Sequence, residues 1–501
     1  MSNINKELYS DYTSKMSRIA DLRYASALMQ WDQETYLPAK GAQIRGQQIA
    51  TISELAHEMF TGPELGKVLD QLIEQDFDTH VEKRNIQLTY EDYSKQQKIP
   101  AEFVRKMSET VNQSFHSWIE ARKANDFNLF AGDLKKIVEL KRQEADYLGY
   151  TSHPYDALLN EYDKGINVTL LDSIFNTVKS PLKELLDKIM AQPQVDDSFL
   201  RLHYPKDQQW AFGMELLREL GYDLEAGRQD ISEHPFSVSF NNNDVRITTR
   251  IDENDLASMT WSCIHELGHA LYEQGLPGDQ YGLPAGEAAS LSIHESQSRL
   301  WENHVGRSEA FCRNYLPLLK KYFPEQLKDV DADTFYKAIN KVQPSLIRTE
   351  ADELTYHFHV IIRYELEKKL IEGSLETTEI PAFWSENYGK YLGVKIPDHR
   401  RGSLQDVHWS HGSFGYFPTY SLGSYYAAQL YQTGVDQNPL ISDEAESGKY
   451  SALLGWLRNG VHRHGRVFTS EALCHHVTGK TLDINYFLNY LLDKYRKIYN
   501  F

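Results

Sequence analysis

The sequence predicts a mainly α-helical protein that carries one small β element. Apolar residues recur at three- and four-residue spacing through most of the 501 residues, the stripe of helices that bury one face in a core. Alternation with period two occurs in one stretch, residues 234–251, and predicts two short strands joined by a turn. No repeat of fixed period and no low-complexity segment interrupts this texture, which excludes solenoids and disordered arrays.

A chain of this length can bury a large core, as one domain or as several. Its net charge of −18 argues against general nucleic-acid binding and against adhesion to anionic membranes, both of which need a basic face. Cys263, Cys312 and Cys474 are far apart, so neither a disulfide framework nor a cysteine metal site is expected, and a reducing compartment suits them. The first dozen residues are polar and charged, and no apolar run reaches membrane-spanning length. The expectation is a soluble, cytoplasmic protein that binds neither nucleic acid nor membrane.

In order along the chain, Leu8, Tyr12, Met16, Ile19, Leu22 and Leu28 predict a helix over residues 6–31. Residues 31–38, dense in aromatic and acidic groups and ending in Pro38, read as a corner before a second helix over residues 42–60. Further helices are expected over residues 63–94, 100–124, 126–148 and 167–190. His234-Pro235-Phe236 then breaks any helix. Val238 and Phe240 alternate with polar residues before an Asn-rich turn, as do Val245, Ile247, Thr249 and Ile251 after it. Such a strand could offer its edge to an extended peptide or could be a structural hairpin, and the residues leave both open.

Residues 255–274 carry the strongest helical stripe, Leu256, Met259, Cys263, Leu267, Ala270 and Leu271, with Asp252, Asn254 and Asp255 available as caps and Gly275 and Pro277 beyond the end. Within it stands His265-Glu266-Leu267-Gly268-His269. On a helix, His265 and His269 lie one turn apart on one face, close enough to share a metal, while Glu266 points about 100° away from His265. A catalytic zinc needs neutral imidazoles, an open position for water and a nearby base. Two histidines leave such a site one ligand short. After a glycine-rich loop over residues 275–286, a helix over residues 287–304 brings His294-Glu295. Glu295 is preferred as the third ligand over His294, whose side chain points elsewhere, and two histidines with one glutamate have precedent.

A helix is expected over residues 345–371, with Arg348 and Asp352 as an i, i+4 pair and His359 on the same side. That spacing fits a solvated ion pair, or an arginine held so that it can clamp a carboxylate. Residues 402–420 fit no period and carry many hydrogen-bond donors, an ordered loop that either supplies donors to an oxyanion or is a glycine-aromatic loop packed on the core, and the residues leave both open. From residue 426 to the end the texture is again helical.

Taken together, His234-Pro235-Phe236, Asp244 to Thr248, His265 to His269, His294 to Gln297, Ile347-Arg348 with Ala351-Asp352, and Gly402 through His408-Trp409 resemble the Taq-type thermostable metallocarboxypeptidases. These belong to the wider group of zinc peptidases with two histidines and one glutamate. The resemblance implies one domain over residues 1–501, a helical saddle whose two halves flank a deep substrate groove, with a small β-sheet on one wall. It also implies release of single C-terminal residues with proline disfavoured, a homodimer, and one Zn²⁺ per chain that Co²⁺ can replace.

On this reading His265, His269 and Glu295 hold the metal, and Glu266 serves as general base. Tyr420 stabilises the oxyanion, with His408, His411 or Tyr416 as partners. This assignment follows related zinc peptidases in which a tyrosine succeeds a histidine by about ten residues. Arg348, joined by His234, Arg246 or Arg401, binds the free C-terminal carboxylate of peptide substrates. Two alternatives stand beside it. One is a zinc oligopeptidase cutting internal bonds of short peptides, and the other is a helical scaffold whose histidines only pack or hold structural metal.

Overall fold

The computed structural model describes residues 3–501, and the fold is mainly helical with one three-stranded sheet. Helix α1 (Asn3–Thr35) is followed by α2 (Ala42–Thr61). The expected corner at residue 31 falls later. Trp31 is buried within α1, the Thr35 hydroxyl donates to the Trp31 carbonyl at 2.8 Å, and the chain turns at residues 36–38. The single helix expected over residues 63–94 is two, α3 (Pro63–Leu72) and α4 (His80–Gln97). A capping box restarts the helix: the Glu82 amide donates to the Thr79 hydroxyl at 3.1 Å, and the Thr79 amide to the Glu82 carboxylate at 3.0 Å. Helices α5 (Ala101–Ala124), α6 (Asn128–Leu148), α7 (Pro154–Leu159), α8 (Val168–Met190) and α9 (Lys206–Glu219) follow.

The sheet comprises β1 (Gly227–Ile231), β2 (Ser237–Asn241) and β3 (Asp244–Thr249), in the order β1-β3-β2. β2 and β3 form the expected antiparallel hairpin, and β1, which the alternation did not reveal, pairs parallel with β3. Arg228 and Arg246 are register partners, and their guanidinium groups lie 5.3 and 4.5 Å from the Trp31 ring centroid, a cation–π stack fastening the sheet to α1.

Helix α10 (Leu256–Glu273) matches its expected span. The Asp255 carboxylate accepts from the Ala257 and Ser258 amides at 3.1 and 3.3 Å, and all six stripe residues are buried. The leucine and methionine side chains among them each contribute roughly 1.5–3 kcal/mol when taken fully from water. Helix α11 (Leu291–Arg299) starts later than expected, because Ser290 caps it by accepting from the Ile293 amide at 3.0 Å. The chain then continues in wider π-helical turns over Leu300–Val305. α12 (Glu309–Tyr322) and α13 (Ala332–Ile339) complete this region.

The helix expected from residue 345 begins at α14 (Tyr356–Glu372). Arg348 sits ahead of it in a 3₁₀ turn, so it and Asp352 are not an i, i+4 ion pair. Asp352 instead accepts from the Leu354 and Thr355 amides at 3.0 and 2.9 Å and from Gln343, ending the extended stretch before the helix. α15 (Ile380–Leu392), α16 (Pro418–Gln437), α17 (Leu440–Glu446), α18 (Ser451–Gly460), α19 (Ser470–Thr478) and α20 (Asn485–Tyr499) follow. Residues 402–417 form the anticipated loop, with a 3₁₀ turn at His408–His411, but Tyr420 lies in the first turn of α16.

Two compact units result. One gathers the chain up to Gln97 with Asp196–Ile339 and Leu430–Thr481, and the other Lys98–Val195, Asn340–Gln429 and Leu482–Phe501. The first contains the sheet, α10 and α11. The second contains α14, α15 with buried Trp384, and the 402–417 loop with buried Trp409. No described helix is long and apolar enough to cross a membrane.

Candidate active site

Gly268 brings the two metal-bearing helices together. A Cβ there would lie 2.5 Å from the Gln297 carbonyl oxygen and 2.6 Å from the Ser298 Cα, so α10 and α11 meet backbone to backbone. The contact carries Glu295 of α11 to the histidines of α10. One ligand atom from each of His265, His269 and Glu295 lies within 4.8 Å of the others. Glu295 Oε2 stands 3.7 Å from His265 Nε2 and 3.5 Å from His269 Nε2.

Groups behind the cluster set how each ligand faces it. His265 Nδ1 is 2.9 Å from Glu302 Oε2, and Arg299 and Arg307 approach that carboxylate at 3.2 and 3.3 Å. With Glu302 accepting from Nδ1–H, the Nε2 lone pair is left towards the other donors. Arg299 Nε donates to Glu295 Oε1 at 2.7 Å and the Ser298 hydroxyl to Oε2 at 3.1 Å, fixing the third ligand.

His294 stands outside the cluster. Its Nδ1 is 2.6 Å from His269 Nδ1, and its Nε2 is 2.8 Å from Glu273 Oε1. The consistent proton arrangement has His294 donating to Glu273 and His269 donating to His294. That arrangement leaves His269 neutral with its Nε2 lone pair available. His294 therefore backs a ligand, where a rival for the ligand position would have to enter the cluster.

The electrostatics favour a cation among the three donors. Burial alone would push the His265 imidazolium down, but the Glu295 and Glu302 carboxylates outweigh it and raise its pKa. Burial, reinforced by the charges of His294, His265 and Arg299, holds His269 well below the ordinary histidine range. A divalent ion can satisfy the demand for positive charge that His265 otherwise meets with a proton, which the ion would displace on binding. Glu266, buried beside the cluster, is pushed up to about 7 by burial and by Glu295, against the pull of His265, His294 and the Ser237 hydroxyl that bonds it. A carboxylate near 7 is poised to exchange a proton at neutral pH.

The remaining candidates form two groups. In the first unit, His234 is exposed just before β2, its carbonyl accepting from the Ser232 hydroxyl at 2.6 Å, and Arg246 on β3 makes a bidentate pair with Asp244 at 2.8 and 2.9 Å. In the second unit, buried Arg348 gives Nε to Asp406 at 3.1 Å and Nη1 to the Tyr356 hydroxyl at 3.1 Å, and its guanidinium lies 5.0 Å from the Tyr420 ring centroid. Tyr416 packs on Tyr420 at 5.1 Å and His408 on Tyr416 at 5.6 Å, so these four residues adjoin one another. Burial pushes His408 down to about 4, leaving it neutral near pH 7. His411 lies against the Phe115 ring at 4.9 Å, and exposed Arg401 is paired bidentately with Asp398 at 2.9 and 2.6 Å.

Comparison with known proteins decides the family. The model of the Carboxypeptidase Taq (M32) metallopeptidase family matches residues 11–495. The chain belongs to this family. Taq-family relatives span it almost end to end. Thermostable carboxypeptidase 1 of Thermus thermophilus is 38% identical, covering 98% of this chain and 99% of its own. Carboxypeptidase 1 of Bacillus subtilis is 37% identical, with 98% of each chain covered. The crystal structure of the M32 carboxypeptidase from Deinococcus radiodurans superposes with a TM-score of 0.97 at 39% identity, over 99% of this chain and all of that one. As a member of the family the protein is a metallocarboxypeptidase.

Glu302, Arg299, His294 as a backing group, and Gly268 were not anticipated from the sequence. A signal for two of them existed: Glu295, Arg299 and Glu302 fall at i, i+4 and i+7, one stripe of one helix.

Proposed function

We propose that this metallocarboxypeptidase is a zinc enzyme that releases single residues from free peptide C-termini with broad specificity, proline excepted. The observation that carries this reading is the cluster of two imidazoles and one carboxylate beside a buried glutamate. Tetrahedral zinc with ligand bonds of about 2.05 Å separates its ligand atoms by roughly 3.3 Å, and the spacings of 3.5 and 3.7 Å in this cluster suit it. Two nitrogens and one oxygen suit zinc, and also cobalt. Bound there, zinc supplies Lewis acidity that acidifies water and polarises the scissile carbonyl.

Glu266 takes a proton from the attacking water and delivers it to the leaving amine, a role that matches its burial and raised pKa. Tyr420, with His408, His411 or Tyr416, offers hydrogen-bond donors to the developing oxyanion. Arg348 is assigned to the terminal carboxylate, since Asp406 and Tyr356 hold its guanidinium in one orientation. His234, Arg246 and Arg401 are secondary candidates, and the latter two guanidinium groups are already engaged by Asp244 and Asp398. The protein works as a cytoplasmic homodimer on peptides, and its net charge of −18 disfavours nucleic acid.

A pair of identical peptides, one with a free C-terminus and one amidated, tests the reading. The carboxypeptidase reading requires a loss of at least about a hundredfold in kcat/KM on amidation, because Arg348 would lose the charged carboxylate partner that the substrate supplies. Equal hydrolysis of both, with internal cleavage products, would instead mark an oligopeptidase.

A further inference from the structure

Beside the metal cluster, within the first unit, is a cleft of about 360 Å³. Ser237 and Ser239 of β2 form one wall and Glu273, at the C-terminal end of α10, another. Tyr24, Tyr281 and Glu287 complete it. Its volume is that of a small-ligand site. Two bonds tie it to the residues described above: the Ser237 hydroxyl bonds Glu266, and Glu273 holds His294, which holds His269.

The cleft is acidic and partly aromatic. Glu273 Oε1 lies 2.8 Å from His294 Nε2. Among the described residues Glu273 has no other ionic partner. Glu287 shares Arg466 at 3.3 Å, but that arginine is already bidentate to Asp92 at 2.7 and 2.8 Å. The Tyr24 and Tyr281 rings stand 5.6 Å apart, and the Tyr281 hydroxyl is turned to Asp21 at 2.9 Å. Aromatic faces with carboxylates beyond them match a long alkyl stem ending in a cation.

The side of the scissile bond follows from the chemistry of an exopeptidase. One residue leaves on the amine side, so an extended stretch of several residues exists only on the acyl side. β2 is the outer strand of the order β1-β3-β2, and among the described residues no strand pairs with its other edge, Ser237–Asn241, which can take such a stretch. Alternate side chains of an added strand point the same way, so one of them faces the cleft.

We propose that this cleft is a subsite for a lysine or arginine side chain on the acyl side of the scissile bond, with Glu273 as the residue that determines the preference. The proposal rests on the carboxypeptidase reading. Its test uses the metal-loaded protein and peptides ending in leucine, with lysine or the uncharged norleucine at each of the first three positions upstream. Leucine release gives kcat/KM for each. At one position lysine should exceed norleucine by about tenfold, the scale of a partly buried charge pair.

In Glu273→Gln the ratio should fall to near unity, whereas Glu273→Asp should retain part of it. Because the ratio is taken within one variant at one metal loading, any change in metal affinity cancels. Equal rates for lysine and norleucine at all three positions, or an unchanged ratio in Glu273→Gln, would overturn the subsite while leaving the carboxypeptidase reading intact. Failure of both peptides to release leucine would remove the reading itself.

Discussion

His265 Nδ1 lies 2.9 Å from Glu302 Oε2, and the contact joins α10 to the π-helical turns after α11. Arg299 and Arg307 flank that carboxylate, which they and His265 hold far below the ordinary range in spite of its burial. Glu302 therefore stays ionised and orients the imidazole for a ligand on Nε2. Backing carboxylates of this kind usually change metal affinity by 10–100-fold when removed. Glu302→Ala should raise the metal dissociation constant by about that factor in chelator competition, with the fold retained by circular dichroism.

Glu266→Gln should bind metal as tightly as the parent and lose about 10²–10⁴-fold in kcat, the usual contribution of a general base. Paired metal-content and turnover measurements check this. Near-normal turnover would refute the assignment.

Burial, reinforced by Glu295, puts the Glu266 carboxyl at about 7. The base is active as the carboxylate, so kcat/KM should fall as pH drops through its pKa. A cation at the three donors favours the charged form, so the acidic limb should have its midpoint at or somewhat below 7. A pH–rate profile flat from 8 down to 5 contradicts the role.

In the second unit Asp406 is buried between Arg348 and Arg363, at 3.1 and 2.5 Å. Burial opposes its charge, but Arg363, Arg348 and His408 more than compensate and hold the carboxyl well below the usual range. A depressed carboxyl contributes stability that is present above its unfolded value, near 4, and is lost as pH falls through the folded one. Asp406→Asn leaves two buried guanidinium groups short of a counter-charge and should cost about 3–5 kcal/mol in urea unfolding at neutral pH.

What the sequence disclosed depended on how local each signal was. The α10 stripe with Asp255 as cap, and the alternation on either side of the Asn-rich turn, are contiguous patterns that need no distant partner. Convergence of Glu295 with the two histidines followed from adjacent helices and the known coordination needs of a metal. β1 escaped because its buried residues, Gln229 and Asp230, are polar and adjacent, which leaves no alternation to see. Arg348 pairs instead with Asp406, 58 positions away, while Asp352, the nearer carboxylate at helical spacing, accepts from the Leu354 and Thr355 amides in the turn ahead of α14. The split between α3 and α4 was legible in Thr79 and Glu82, a capping box inside an otherwise continuous stripe.

The most direct measurement is a time course of amino-acid release from one defined peptide by protein stripped of metal and then restored with zinc. The account predicts no release from the stripped protein. Stepwise release from the C-terminus should return at one zinc per chain, and should fail to return when His265, His269 or Glu295 is replaced by alanine. Full activity in rigorously metal-free protein, or an undiminished zinc stoichiometry in all three variants, would contradict it.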